Sequence, residues 1–256
     1  MSKVYVLYNP LANNGRSAES IEKLAAEIEG ECILCDMTKG YMEILANMDK
    51  DDTLILCGGD GTLNRFVNET DGMEIKNDVL YYASGSGNDF AHDISLDRCD
   101  APVSIKKYLC NLPTVEVKGK SYKFINGIGY GIDGYCCEEG DRLREIPGKK
   151  VDYTMIAIKG LLFKFKPRNA KVTVDGVVRE YKKVWLAPAM HGRYYGGGMI
   201  ATPAQNRENG GKLSLLVWHG SGKLKTLMVF PSIFKGEHIK QTKYIEIIEE
   251  IGRAHV

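Results

Sequence analysis

The sequence predicts an α/β protein whose first half is a doubly wound parallel sheet and whose second half is mainly antiparallel β. Three observations carry that prediction. Strand-like and helix-like stretches alternate from Lys3 to Ala83, as in a series of βαβ units. Thr53–Cys57 is almost unbroken in apolar character, as a strand covered on both faces should be. Beyond Leu112–Thr114 short β-branched and aromatic runs dominate, and Val174-Asp175-Gly176-Val177 is a hairpin signal between two of them.

Taken in order, Lys3–Tyr8 reads as a strand, and residues 17–29 place Ile21, Leu24, Ala25 and Ile28 at helical spacing. Residues 31–36 read as a second strand, 41–48 as a short helix and 53–57 as a third strand. A helix is expected over 62–68 and a fourth strand over 79–83. In the second half, strands are expected over 114–117, 122–128, 171–174, 178–186 and 213–218, with helices over 152–165 and 223–230. No internal repeat or low-complexity linker interrupts the chain.

The chain has 256 residues, enough to bury a sizeable core in one large domain or two modest ones. Its 34 Lys and Arg against 33 Asp and Glu leave a formal charge of +1, so no basic excess points to nucleic acid as a partner. No stretch reaches the roughly 20 apolar residues that span a bilayer, and the start of the chain lacks a signal-peptide core. Seven cysteines without a regular framework fit reduced thiols in the cytoplasm. Cys32 and Cys35 form a C-x-x-C, but positions i and i+3 of a strand face opposite sides, which argues against a redox or zinc pair.

The most informative stretch is Leu54-Ile55-Leu56-Cys57-Gly58-Gly59-Asp60-Gly61-Thr62-Leu63-Asn64, where a buried strand runs into a glycine-rich turn that opens a helix. Glycines let a ligand approach the backbone closely. Amides at a helix start, together with its dipole, suit a polyphosphate. Asp60 suits a metal or a metal-bound water, and Thr62 either caps the helix or bonds a phosphate oxygen. Gly-Gly-Asp-Gly alone also describes a tight turn, but two more loops favour the ligand. Asn9-Pro10-Leu11-Ala12-Asn13-Asn14-Gly15-Arg16 follows the first strand, and Ser84-Gly85-Ser86-Gly87-Asn88-Asp89-Phe90-Ala91 follows the fourth. In an open parallel sheet such loops gather at the carboxyl edge of the strands, where ligands bind. Arg16 is either a phosphate contact or a solvated cation at a helix start. The spacing matches neither G-x-x-x-x-G-K-[ST] nor G-x-G-x-x-G.

Gly58-Gly59-Asp60-Gly61-Thr62-Leu63-Asn64 resembles the signature of the superfamily joining diacylglycerol, sphingosine, ceramide, NAD and phosphofructokinases. Asn9-Pro10 and Gly85-Ser86-Gly87-Asn88-Asp89-Phe90-Ala91 narrow the resemblance to the bacterial diacylglycerol-kinase-like lipid kinases. Phe124-Ile125-Asn126, Gly131-Ile132-Asp133-Gly134, Tyr195-Gly196-Gly197-Gly198-Met199 and Lys235-Gly236-Glu237-His238 look like that family's second-domain landmarks. The resemblance implies a nucleotide-binding domain over residues 1–113, a β-sandwich substrate domain over 114–248, and a cleft between them. It implies ATP and Mg2+ as cofactors and a lipid alcohol as the partner substrate. ATP is then expected at Thr38, at Gly59, Asp60, Gly61, Thr62, Leu63, Asn64 and Arg65, and at Ser86. Asn9, Gly58, Gly85 and Gly87 complete the binding loops, and Asn88 and Asp89 face the phosphates and magnesium. Asp60, Asp89, Glu116 and Asp133 are the candidate catalytic carboxylates. Glu116 stands where the family usually has an aspartate in a magnesium–water network, and Asp133 lies in the implied cleft. Read alone, residues such as Glu116 and Asp133 are more often ordinary solvated carboxylates.

Several positions depart from the family pattern. Arg65 replaces an acidic residue, and Ser86 replaces a common threonine. Glu208-Asn209-Gly210-Gly211-Lys212-Leu213 stands in place of an Asp-Asp-Gly turn that binds a structural magnesium in some members, so that metal is expected to be absent or weakly held. The family carries its proposed general base in an Asp-Gly-Glu segment, and none follows residues 244–248. The second domain is therefore expected to be truncated and its turnover impaired. Glu250-Ile251-Gly252-Arg253-Ala254-His255-Val256 fits no strand pattern and is compatible with translated sequencing adapter, so 249–256 are expected to be a non-native tail. Lys149, Lys150, Lys159, Lys164, Lys166 and Arg168 surround the apolar helix expected at 152–165, which suits either a membrane surface or a core-facing helix with a solvated basic face. The implied reaction moves the γ-phosphoryl of ATP to a lipid hydroxyl, with diacylglycerol giving phosphatidate. A soluble-metabolite kinase related to NAD kinase and a non-catalytic nucleotide-binding protein remain open alternatives. Oligomeric state is not legible.

Overall fold

A computed structural model describes residues 2–10, 17–146 and 151–255. The chain divides into two compact units, Met1–Ile125 and Asn126–Val256. In order, the first unit contains β1 (Lys3–Tyr8), α1 (Ser17–Glu27), β2 (Glu31–Asp36), α2 (Met42–Ala46) and β3 (Thr53–Gly58). It continues with α3 (Asp60–Glu69), β4 (Val79–Ala83), α4 (Asp89–Asp93) and β5 (Val103–Ser104). The sheet runs β2-β1-β3-β4-β5, parallel except for β5 at its edge. Along β3 the side chains alternate between two cores. Leu54 and Leu56 pack with Leu63, Phe66 and Val67 of α3, while Ile55 and Cys57 pack with Ile21 and Leu24 of α1. Covering both faces explains the apolar run and meets the doubly wound expectation. Cys35 lies in the first core and Cys32 against the second, so the C-x-x-C thiols face away from each other.

The boundary between units falls later than the expected 113–114. β6 (Thr114–Val117) and β7 (Lys120–Lys123) form a hairpin that stays with the first unit. Asn68 of α3 exchanges hydrogen bonds with the Lys123 backbone, at 2.9 Å in both directions. Lys123 Nζ meets Asp71 at 2.6 Å, and Ile125 is buried in the first core. These ties hold the hairpin to α3.

The second unit begins with β8 (Gly127–Ile128), α5 (Ile132–Arg144), α6 (Tyr153–Lys159), β9 (Arg168–Val174) and β10 (Val177–Val184). It continues with β11 (Ala189–Met190), β12 (Tyr194–Tyr195), β13 (Met199–Ile200), β14 (Leu213–Trp218), α7 (Lys223–Val229), β15 (Ile245–Ile251) and β16 (Ala254–His255). Its sheets run β15-β14-β11-β8, β10-β9-β16 and β12-β13, with antiparallel neighbours, as expected of a mainly antiparallel domain. Trp185, Leu186, Leu216 and Trp218 form its core with Ile132 of α5, Ala157 of α6 and Val229 of α7.

Four expectations are corrected here. α5 is a 13-residue helix with no helical apolar stripe to announce it, since Glu138, Glu139, Asp141, Arg142 and Arg144 fill its later turns. The strand expected at 122–128 is two strands, because the chain passes from one unit to the other between them. The helix expected at 152–165 starts after Asp152, which accepts the Met155 amide as a cap, and its last turn, Gly160–Lys164, is a π turn. Finally, the stretch after residue 249, which fits no strand pattern in sequence, is largely strand: β15 runs to Ile251, β16 pairs with Thr173 and Val174 of β9, and the Asp175 carboxylate accepts the amides of Gly252 and Arg253. The hairpin turn that supplies Asp175 has φ of 46° there and 83° at Gly176, as its Asp-Gly sequence requires. Arg16, Lys149 and Lys150 lie outside the described residues.

Candidate functional site

A single carbonyl joins the carboxyl ends of β3 and β4. Gly58 O accepts hydrogen bonds from Ser84 N at 3.0 Å, Gly85 N at 3.2 Å and Tyr81 Oη at 2.9 Å. Gly59 and Gly85 then meet backbone to backbone. A Cβ on Gly59 would lie 3.1 Å from Gly85 Cα, and one on Gly85 would collide with Gly59 Cα. A Cβ on Gly58 would collide with the Thr62 side chain. Close contact therefore demands these glycines.

Asp60 ties the same loops again. Its carboxylate accepts Asp89 N at 3.0 Å and Phe90 N at 2.8 Å, which caps the start of α4. Asn88 enters that helix in the left-handed region, with φ of 55°, and donates Nδ2 to Gly85 O at 3.0 Å. Its Oδ1 is buried and has no partner. Because Nδ2 is committed to a carbonyl, the unfilled atom is an acceptor, and it calls for a donor or a cation. Asp89, the next residue, is buried, as is Thr62 of α3, while Gly61, Asn64, Arg65 and Ser86 are exposed. The start of α3 carries no side-chain cap, so its first turn presents amides to a ligand.

The remaining expected contacts are placed as follows. Thr38 is exposed, and both its amide, at 2.8 Å, and its hydroxyl, at 2.7 Å, donate to Asp36 Oδ1. The Thr38 hydroxyl and then its amide hold the Asp36 carboxyl below its ordinary value. Arg65 is paired with Glu69 at 2.7 Å and reaches the Met37 carbonyl at 3.3 Å, so the cation that replaces an acid is already neutralised along α3. Asn9 is half-buried at the end of β1. Glu116 is exposed on β6, and among the described residues its side chain forms no hydrogen bond or ion pair, so nothing gathers it to Asp60 and Asp89.

Asp133 stands in the second unit, in the first turn of α5. Tyr195 Oη donates to its Oδ1 at 3.4 Å, and Oδ2 is buried without a partner. Although the residue keeps some exposure, burial of the carboxyl raises its pKa to about 7 against the opposing bond from Tyr195. Gly129 makes room for it, since a Cβ there would collide with the Asp133 side chain. Sequence reasoning did not single out Tyr81 or Gly129, whose roles depend on neighbours across a strand pair or a turn.

Among the described residues no group of three or more His, Cys, Asp or Glu is placed to hold a metal ion. None of their helices is long and apolar enough to cross a membrane. An open depression of about 850 Å³ between α1 and Arg98–Pro102 contains none of the glycine-loop residues.

Glycine loops that meet at the carboxyl rim of a parallel sheet lie at the edge where open α/β sheets bind ligands, and an antiparallel β unit follows. Comparison with known proteins makes the class specific. Residues 3–117 match the diacylglycerol kinase catalytic domain, and residues 126–249 match the YegS C-terminal NAD kinase beta sandwich-like domain. The chain belongs to the diacylglycerol kinase catalytic-domain family, a family of lipid-kinase-type enzymes. It is 28% identical over 238 residues to "Putative lipid kinase YtlR" of Bacillus subtilis (strain 168), covering 80% of this chain and 74% of that one. It is 23% identical over 254 residues to a diacylglycerol kinase of Mycobacterium tuberculosis (strain H37Rv), covering 94% and 81% of the two chains. A solved structure, "Crystal structure of a putative diacylglycerol kinase from Bacillus anthracis str. Sterne", shares the fold with a TM-score of 0.66 at 18% identity, over 100% of this chain and 87% of that one.

Proposed function

We propose that this chain is an ATP-dependent lipid kinase that acts from the cytoplasm and transfers the γ-phosphoryl group to a lipid hydroxyl, with diacylglycerol as acceptor and phosphatidate as product. The observation that carries this reading is the backbone contact of Gly59 with Gly85 beside the unfilled Asn88 Oδ1. Two loops drawn that close present amides and one acceptor to the same space, which suits a triphosphate with its cation. Asn88 Oδ1 and the Asp89 carboxylate fit magnesium or its water, and bound ATP–magnesium supplies the transferable phosphoryl group. The chain's own groups do the positioning. The amides of the first turn of α3 orient phosphates, Thr62 backs Gly58, and Asp60 keeps the two loops in register. In the second unit, Asp133 is a carboxyl with a pKa of about 7, partly ionised at neutral pH, and its Oδ2 has no competing donor, which suits a group that assists proton transfer. Glu116 acts only through water. No Asp-Gly-Glu occurs among the 256 residues, and in this reading they bind nucleotide firmly but turn it over slowly.

Calorimetry with ATP and magnesium, followed by transfer of radiolabelled phosphate to dispersed diacylglycerol or to NAD, tests the reading. Heat of binding and label in diacylglycerol alone are expected. A folded chain that gives no heat removes the nucleotide site, and label in NAD moves the protein to the soluble-metabolite kinases.

A further inference from the structure

The three most exposed large apolar side chains among the described residues lie on two neighbouring segments of the second unit. Phe163 is 75% exposed, Leu224 72% and Met228 64%. Phe163 belongs to the π turn Gly160–Lys164 that follows α6, and Leu224 and Met228 lie one turn apart on α7. Lys223 Nζ donates to the Leu162 carbonyl at 2.6 Å, and Leu161 and Val229 share one core, so the two segments are held side by side. Neither segment lacks an inner face. Ile156, Ala157 and Leu161 are buried on one, Thr226 and Val229 on the other. The outer apolar residues are therefore surplus to the core, and together they form a patch that marks an interaction surface.

The charge around the patch identifies what it meets. No Asp or Glu occurs from Tyr153 to Arg168 or from Gly222 to Gly236, while these stretches contain Lys159, Lys164, Lys166, Arg168, Lys223, Lys225 and Lys235. Of these, Lys159, Lys164, Lys166, Arg168, Lys223 and Lys235 are exposed. Apolar tips set on two stretches that carry cations and no acids of their own suit shallow insertion at an anionic lipid surface, with side chains in the acyl boundary and ammonium groups at the headgroups. We propose that Phe163, Leu224 and Met228 form a docking surface for anionic phospholipid bilayers, steered by the lysines beside them. The inference rests on the lipid-kinase reading only for its use: docking brings the enzyme to the surface that holds its substrate.

The test is cosedimentation of the full 256-residue chain with phosphatidylcholine vesicles, with and without phosphatidylglycerol. Strong binding is expected only to vesicles with phosphatidylglycerol, weakening at high salt. The triple variant Phe163→Ser, Leu224→Ser, Met228→Ser should partition about tenfold less, with its circular dichroism unchanged because all three positions face solvent. Equal partitioning of wild type and variant overturns the proposal, as does a wild type that binds neither vesicle. A variant that dissociates a dimer in analytical ultracentrifugation while vesicle binding is unchanged gives the patch to a second copy, and also overturns it. Phosphoryl transfer to detergent-dispersed diacylglycerol separates the two readings. Retained transfer with lost vesicle binding supports docking, whereas a wild type that docks but transfers nothing upholds the surface and removes the kinase.

Discussion

Two helices of this chain start alike and carry carboxylates of opposite character. α3 follows Gly58-Gly59 and α5 follows Gly129-Tyr130-Gly131. In each, the glycine four residues before a first-turn side chain makes room for it, Gly58 for Thr62 and Gly129 for Asp133. At α3, both oxygens of Asp60 accept backbone amides of α4. At α5, Oδ2 of Asp133 accepts nothing, and burial lifts the carboxyl to about 7. A carboxylate already filled by amides organises backbone, because its acceptor oxygens are committed to those bonds. One that is desolvated and unfilled is poised to exchange a proton near neutral pH. Residue type and local motif are shared; the partners decide the role.

The strongest way to break this contrast is at the loops that Asp60 organises. Gly85→Ala places a Cβ against Gly59 Cα, where backbone cannot yield. Overpacking of that kind costs about 1–3 kcal/mol, and ATP affinity should fall about tenfold or more. Calorimetry on the folded variant reads it, and an unchanged affinity would show that the loop contact is not the nucleotide site.

Asp133→Asn probes the other side. The folded value of about 7 lies above the ordinary aspartate value of 3.8, so folding takes up a proton in that window. Stability therefore falls as pH rises from about 4 to 7 and stays lowered above it. The uncharged variant should gain on the order of 2 kcal/mol over wild type near pH 8 and nothing near pH 3.5, while losing phosphoryl transfer. Denaturant titrations at the two pH values check the first part. Equal effects at both would mean that the carboxyl is not desolvated.

Asp60→Ala should cost about 1–2 kcal/mol by removing the cap of α4, and Asp60→Asn, which keeps one acceptor oxygen, about half of that. If Asp60→Asn instead keeps full stability and loses all turnover, Asp60 is a chemical participant and the contrast fails. The smallest effect sharpens the same point at His238. Burial pushes its imidazole below 6.5, and a 2.9 Å bond to the Ala201 carbonyl only partly opposes this. With the folded value depressed, its contribution to stability is present above 6.5 and is lost as pH falls below it. Relative to His238→Asn, the wild type should lose about 1 kcal/mol between pH 7 and pH 5 in thermal unfolding.

The first unit was legible because its strands are covered on both faces and its turns are spelled in glycine. β2 and β4 fall where patterning places them, and β1 and β14 match it residue for residue. The second unit was less so. α5 is charged through most of its length and shows no stripe, and β8, β11, β12 and β13 have two residues each, too short for any periodicity. At the site, the glycine loops and their neighbouring Asn and Asp stood out as residue types. The Tyr81 bond to Gly58 O, the capping of α4 by Asp60 and the neutralisation of Arg65 by Glu69 did not.

Local patterning alone set the strand order of chemistry: parallel α/β first, antiparallel β second, with glycine loops where a polyphosphate would lie, since periodicity and backbone permissiveness are properties of neighbouring residues. Which carboxylate is filled and which is bare, where the first unit ends, and which apolar residues are left facing solvent depend on contacts between residues far apart in the chain. Such contacts set burial and hydrogen-bond supply, and these assemble only when the chain folds.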